Sequence, residues 1–260
     1  MIKKAILEAL EKKYRADISA ADATVKIYLH TSVGIGEHPQ HIEEVDKLVQ
    51  KRADAEEKLG IIKEYLDVEG DGAEYNLLEK WTKDFDCQGY YSCEIGVRRG
   101  LGTKLIMDNV KNNYMHVGVD PYANLSYQHY DRDYTKYWPE HRRGAITANY
   151  TDDMRDTMLN DFYKYRNAGK FVLANMTDTA FMADPEWSKK TYSFVHFDGP
   201  HMTRDVLTEA VWFANRSAPH TRYVFDDQNR YEMHVIAHAL TFFDFKTIEM
   251  GETKVCLERI

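Results

Sequence analysis

The stretches TYSFVHFDGPH (residues 191–201) and TRYVFDD (residues 221–227) decide how this chain folds. Each is a short run rich in Val, Phe and Tyr that ends in aspartate. β-Branched and aromatic side chains suit the pleated surface of a buried strand. Asp198 and the pair Asp226-Asp227 are therefore expected at the C-terminal ends of strands. In an open α/β sheet that edge is where ligands bind. The carboxylates of Asp198, Asp226 and Asp227 gathered there would make a hard-oxygen cation site. His201 follows Asp198 by three positions.

Similar runs lie upstream: YYSCEIG (90–96), YMHVGVD (114–120) and KFVLANM (170–176). Helical stretches such as TRDVLTEAVWFAN (203–215) separate several of them. The end, FKTIEMGETKVCLERI (245–260), reads as two strands joined by a Gly-Glu turn. Five strand–helix units closed by a terminal hairpin predict an α/β, Rossmann-like, mostly parallel sheet with one antiparallel strand.

The first 70 residues follow a different period. Leu7, Leu10, Tyr14, Ile18, Ala21, Val25 and Tyr28 step by three or four. So do Val45, Leu48, Arg52, Ala55, Leu59, Ile62 and Leu66. These are coiled-coil-like seams on two helices, broken between them by HTSVGIGEHPQ (30–40). The expectation is an antiparallel helical hairpin with arms of roughly 40 Å, serving oligomerisation or docking, possible as a homo-oligomer contact. VEGDGAEYN (68–76) supplies turn residues at the boundary, so residues 1–70 and 71–260 are expected to be separate regions. Within the second, 121–167 is long for a connection and rich in aromatics. It reads as a lid-like insertion, with Tyr122, Tyr127 and His129 as candidates to meet a substrate.

Composition bounds the partners. The 260 residues are 43% apolar and 29% charged, as in an ordinary globular protein. A formal charge of -8 argues against general nucleic-acid binding. No apolar run approaches a membrane span, and MIKKAILEALEKKYR at the start is an amphipathic charged helix rather than a signal peptide. Cys87, Cys93 and Cys256 are odd in number and lack metal spacing, so reduced thiols in the cytoplasm are expected.

CEIGVRRGLGTKLI (93–106) follows the first expected strand and opens a helix. Glu94 closes the strand. Gly96, Gly100 and Gly102 let the backbone pass close to a ligand, and the helix N-terminus favours anionic groups. This is not the GxGxxG dinucleotide fingerprint. Asp120 ends the next strand, where an acid binds ribose hydroxyls. Thr177 and Asp178, after KFVLANM, stand where a base could be flanked. Arg99 could reach a donor carboxylate or only solvent. His196 reads as a packed strand histidine.

An acid with Gly-x-x-x-Gly on the first strand and an acid on the second resembles the class I S-adenosylmethionine-dependent methyltransferases, over roughly residues 75–260. That resemblance implies a seven-stranded sheet with a reversed final hairpin. It implies that Glu94, Gly96 and Gly100 frame the methionine part of S-adenosylmethionine and that Asp120 holds its ribose. The Asp198, Asp226-Asp227 layout, 28 positions apart, resembles the cation-dependent O-methyltransferases. EIGVRRG, DPY, the long insertion and NMTDTAFM are most similar to the macrocin-type sugar O-methyltransferases. The resemblance implies a divalent cation, Mg²⁺ by type, on Asp198, Asp226 and Asp227. It implies His201 as general base and a small polyhydroxyl acceptor. SVGIGEHPQHIEEVDKLVQKRADAEEKL (32–59) and DPY…YQHYDRDY…ANMTDTAFM also resemble segments of bacteriophage proteins, which implies work in a host cytoplasm. Two other readings stand beside this one. A nicotinamide-dependent oxidoreductase lacks its third fingerprint glycine and a Tyr-x-x-x-Lys hydride site here. A non-catalytic donor-binding protein tethered by the hairpin would not need acids at all these positions.

Overall fold

The structure, a computed structural model, describes residues 2–30, 41–63, 73–123, 125–129 and 146–260. The chain divides into two compact units, Met1–Asp67 and Val68–Ile260.

In the first unit, helices α1 (Ile2–His30) and α2 (His41–Lys63) pack along one another. Ala21, Ala55 and Leu59 are buried between them. Alanine at the contact lets the backbones approach closely. The other apolar seam residues are half-buried, apart from exposed Tyr28 and from Leu66, which lies outside the described residues. Arg52, the polar member of the seam, pairs with Asp22 across the hairpin at 2.8 Å, and Lys51 pairs with Asp17 at 3.4 Å. Exposed pairs of this kind contribute at most about 1 kcal/mol each. The HTSVGIGEHPQ break, from Thr31 onward, also lies outside the described residues.

The second unit is built on a seven-stranded sheet. Its strands are β1 (Tyr91–Ile95), β2 (His116–Val119), β5 (Phe171–Ala174), β6 (Tyr192–Phe197), β7 (Ser217–Phe225), β8 (Phe245–Met250) and β9 (Val255–Arg259). Their spatial order is β5-β2-β1-β6-β7-β9-β8. All neighbours pair in parallel except β9, which runs antiparallel to both β7 and β8. The expected α/β sheet with a reversed terminal hairpin is thus the observed one. Between β2 and β5 the insertion forms a separate two-stranded ladder, β3 (Leu125–His129) with β4 (Ile146–Tyr150), then α5 (Asp152–Asp161) and α6 (Tyr163–Asn167). The Thr151 hydroxyl caps α5 by accepting from Met154 N at 3.1 Å, and Asp152 and Asp153 complement its dipole.

Side chains alternate across the sheet. One face carries Cys93, Ile95, Val117, Val119, Phe197, Tyr223, Phe225 and Leu257 into the main core with Val206, Ala210 and Phe213 of α8 (Thr203–Ala214). Full burial of each large apolar side chain contributes roughly 1.5–3 kcal/mol. The other face meets Leu78 and Trp81 of α3 (Tyr75–Thr82) and Ile106 of α4 (Leu101–Asn109), and takes Phe194, Val224 and Cys256.

That second face changes character toward the C-terminal edge. Glu94 on β1 is the register partner of His196 on β6. Phe197 pairs with Phe225, and Phe225 with Val255, so the next rung sets Asp198 beside Asp226 and Asp226 beside Lys254. Glu74, just before α3, anchors the turn between β8 and β9. Its carboxylate accepts from the backbone N–H of Glu252, Thr253 and Lys254 and from the Thr253 hydroxyl. Partial burial raises this carboxyl, but the donors outweigh it and hold it at about 2. A depressed pKa stabilises the fold fully above the ordinary value of 4.5 and progressively less as pH falls toward 2. We expect Glu74→Gln to lower stability at neutral pH and to flatten that part of the acid limb, as read by urea unfolding at stepped pH.

Candidate active site

The glycine turn is shaped by a close approach of two strand ends. Gly96 leaves β1 with φ +88°, and a Cβ there would lie 2.1 Å from the Asp198 carbonyl oxygen. Asp198 N donates to Ile95 O at 2.8 Å, drawing the end of β6 against the end of β1. Gly102 lies directly over Glu94, whose Oε1 would be 2.0 Å from an added Cβ. Gly100 caps α4 in the left-handed region.

Asp120 is buried behind this turn and holds it. Its Oδ2 accepts from Val97 N at 3.1 Å and Arg98 N at 2.9 Å, and its Oδ1 accepts from Tyr122 N at 3.1 Å. Burial raises its carboxyl to about 6 against the pull of these donors. Tyr122, expected at a lid, is instead fully buried, with its hydroxyl donating to Arg98 O at 2.5 Å. The side chains of Tyr127 and His129 lie outside the described residues. Arg99 is exposed on the turn. Thr177 caps α7 (Asp178–Ala183), accepting from Ala180 N at 3.2 Å, and Asp178 occupies that helix's first turn.

Glu94 is also buried, at 1% exposure, so it supports the turn from beneath rather than facing solvent. It accepts from the Thr103 hydroxyl through Oε2, and its Oε1 lies 2.8 Å from His196 Nδ1. Burial pushes its carboxyl up to about 8. Burial likewise lowers the His196 imidazole to about 3, so the ring is neutral. With Nδ1 engaged by Glu94, Nε2 has no hydrogen-bond partner among the described residues.

A ring nitrogen of His196 and carboxylate oxygens of Asp198 and Asp226 all lie within 4.8 Å of one another. Burial, then the neighbouring Asp226, pushes the Asp198 carboxyl up. A neutral imidazole whose second nitrogen is fixed by a carboxylate is the usual form of a metal-ligating histidine. The donor set, one nitrogen with two carboxylates, therefore fits a divalent cation. Asp227 stands outside that group. Its left-handed backbone (φ 50°) directs its carboxylate to His201 Nε2 at 3.2 Å and to Arg230 Nε at 3.3 Å. Asp198 and Asp226 come together with His196, which is buried in its strand as a packed histidine and was not among the expected ligands; nor was Lys254 among the expected site residues. The signal for His196 was its spacing of two from Asp198, which puts both on one face of the strand. Lys254 gave no local signal, because only pairing of β9 with β7 brings it to Asp226.

A family profile described as a methyltransferase domain matches residues 93–228. The match spans just over half the chain, and the chain belongs to that methyltransferase family. No curated protein matches the sequence. Among solved structures, the chain is similar to an O-methyltransferase from Bacillus cereus in complex with SAH, at 10% identity and a TM-score of 0.49, covering 79% of this chain and 88% of that one. It is also similar to the O-methyltransferase TomG from Streptomyces achromogenes in complex with SAM, at 12% identity and a TM-score of 0.47, covering 75% and 82%. Likenesses this distant carry no statement about substrate. No helix among the described residues is long and apolar enough to cross a membrane.

Because backbone rather than a flexible side chain opposes a Cβ at Gly96, neither partner can move aside. We expect Gly96→Ala to destabilise the second unit by about 2–4 kcal/mol, read as a lower urea midpoint.

Proposed function

We propose that this chain is a metal-dependent O-methyltransferase that moves the methyl group of S-adenosylmethionine to a hydroxyl of a small, sugar-like polyhydroxyl acceptor. One observation carries the reading: His196, Asp198 and Asp226 converge at the C-terminal edge of the sheet, beside the glycine turn at Gly96. Family membership supports methyl transfer. The similarity of the motifs to macrocin-type enzymes supports an oxygen acceptor and a vicinal diol.

In this reading the turn from Gly96 to Gly100, with Glu94 beneath it and Asp120 behind it, receives the donor. Arg99, Thr177 and Asp178 border the same edge. His196, Asp198 and Asp226 would hold a divalent cation, and Asp227 stands beside them in contact with His201. A bound divalent cation lowers the pKa of an acceptor hydroxyl. His201 takes the proton. Its Nε2 lies 3.2 Å from an Asp227 carboxylate oxygen, a charge contact beside the ring. The acceptor oxygen forms a bond to the methyl carbon as the carbon–sulfur bond breaks. The sulfonium charge vanishes in the step, so alignment and exclusion of water matter as much as base strength. The three buried, unpaired thiols suit a reducing cytoplasm, which completes the proposal.

Calorimetric titration tests the donor site. We expect micromolar binding of S-adenosylmethionine, weakened at least about tenfold in Asp120→Ala, a loss of about 1.4 kcal/mol. His201→Gln is expected to keep donor binding and to lower kcat by roughly 10²–10⁴ on any diol acceptor that turns over. Absence of donor binding in the wild type would overturn the reading.

A further inference from the structure

We infer that Lys254 is the resident counter-cation of this site, and that its ammonium competes with a divalent cation for Asp226. The inference rests on the metal reading above, and it adds a residue that sets how tightly the site takes metal.

Lys254 has no solvent exposure. Its Nζ is in ion-pair contact with Asp226 Oδ2 but outside hydrogen-bond geometry with any described group, so the contact is one of charge rather than direction. The other oxygen of Asp226 accepts from Asp227 N at 2.8 Å. Both oxygens of the carboxylate are therefore engaged before any metal arrives. The ammonium also lies 4.8 Å from the centre of the Tyr75 ring, a cation–π contact. Its backbone is fixed as well. Lys254 N donates to Glu74 Oε2 at 3.0 Å, and Lys254 O accepts from Gly251 N at 2.7 Å. The lysine cannot swing out to solvent without opening the turn between β8 and β9.

The acids alone would not mark a site. The independent observation is His196, fully buried, with a ring nitrogen within 4.8 Å of Asp198 and Asp226 oxygens and with Nε2 making no hydrogen bond among the described residues. A ring nitrogen with a free lone pair fits a metal; it could also accept from an ammonium, but the Lys254 Nζ makes no hydrogen bond to it. The cluster thus holds one group that serves a metal and one that serves in its place. A dication at His196, Asp198 and Asp226 would sit near an existing positive charge in a water-poor environment, where repulsion is strong. Removing the ammonium leaves Asp226 buried and uncompensated, which is costly until another cation arrives.

The probe is Mn²⁺ alone, titrated into the full chain and followed by paramagnetic resonance of the free ion, with thermal unfolding in parallel. Lys254→Met is expected to unfold at a lower temperature than wild type without metal. It should bind Mn²⁺ at least tenfold more tightly, and Mn²⁺ should raise its Tm by more than it raises that of wild type. Lys254→Met combined with Asp226→Asn removes both charges, and should recover metal-free stability and lose the gain in affinity. Unchanged or weaker Mn²⁺ binding in Lys254→Met, no binding in either protein, or a Lys254→Met chain that stays unfolded in Mn²⁺ overturns the inference. Titration of S-adenosylmethionine into the same proteins separates that failure from failure of the donor site, since the donor is expected to bind with Lys254 present or absent.

Discussion

The two-residue alternation of side chains along a strand constrains everything at this site. Once β1, β6, β7 and β9 lie in register, Glu94, His196, Asp198, Asp226 and Lys254 must share one face. A slip of one residue in any strand would send its polar members into the aromatic core around Phe197 and Phe225. The same slip would bring phenylalanine to the sheet edge. Register and polar grouping therefore enforce each other, and the stacked pair Phe197–Phe225, with ring centroids 4.4 Å apart, locks the central rung.

The charges at that edge are arranged in depth. Glu94 and His196 lie one rung below the surface and share one contact, His196 Nδ1 with Glu94 Oε1. Asp198, Asp226 and Lys254 lie on the next rung. His201 and Asp227 stand beyond the strand ends, less deeply buried. A buried imidazole kept neutral by burial and oriented by a buried carboxyl can offer a lone pair but not a charge. His201, beyond the strands, keeps some exposure and contacts Asp227 instead. Two histidines five residues apart thus sit in different surroundings.

The glycine turn serves the same convergence. Gly96 lets β1 and β6 end in contact, and Asp120 ties the turn back to β2 through two of its backbone donors, Val97 N and Arg98 N. A carboxylate that holds a turn this way places the backbone for a ligand whether or not it touches one itself. Glu74 does the equivalent at the far side, gathering the turn between β8 and β9 so that Lys254 enters the cluster.

Much of this was legible in the chain before folding. The runs ending in Asp120, Asp198 and Asp226-Asp227 are local: their composition sets them as strands and their last residue sets the acid at the edge. The glycine turn and the reversed terminal hairpin are local in the same sense, and the helical seams around Ala21 and Ala55 follow from a three-to-four step. Tertiary structure decided the partners. His196 became a candidate ligand because Glu94, 102 positions away, takes its Nδ1. Lys254 entered the site because an antiparallel strand sets it opposite Asp226. Asp227, on a left-handed backbone, contacts His201 and Arg230, and Tyr122 left the insertion's surface because Val97, Met158, Phe162 and Phe171 form a pocket for its ring. The physical reason is one of range. Residue type and spacing fix what a segment can become, whereas ion pairs and hydrogen bonds between distant segments exist only once the sheet has set their register.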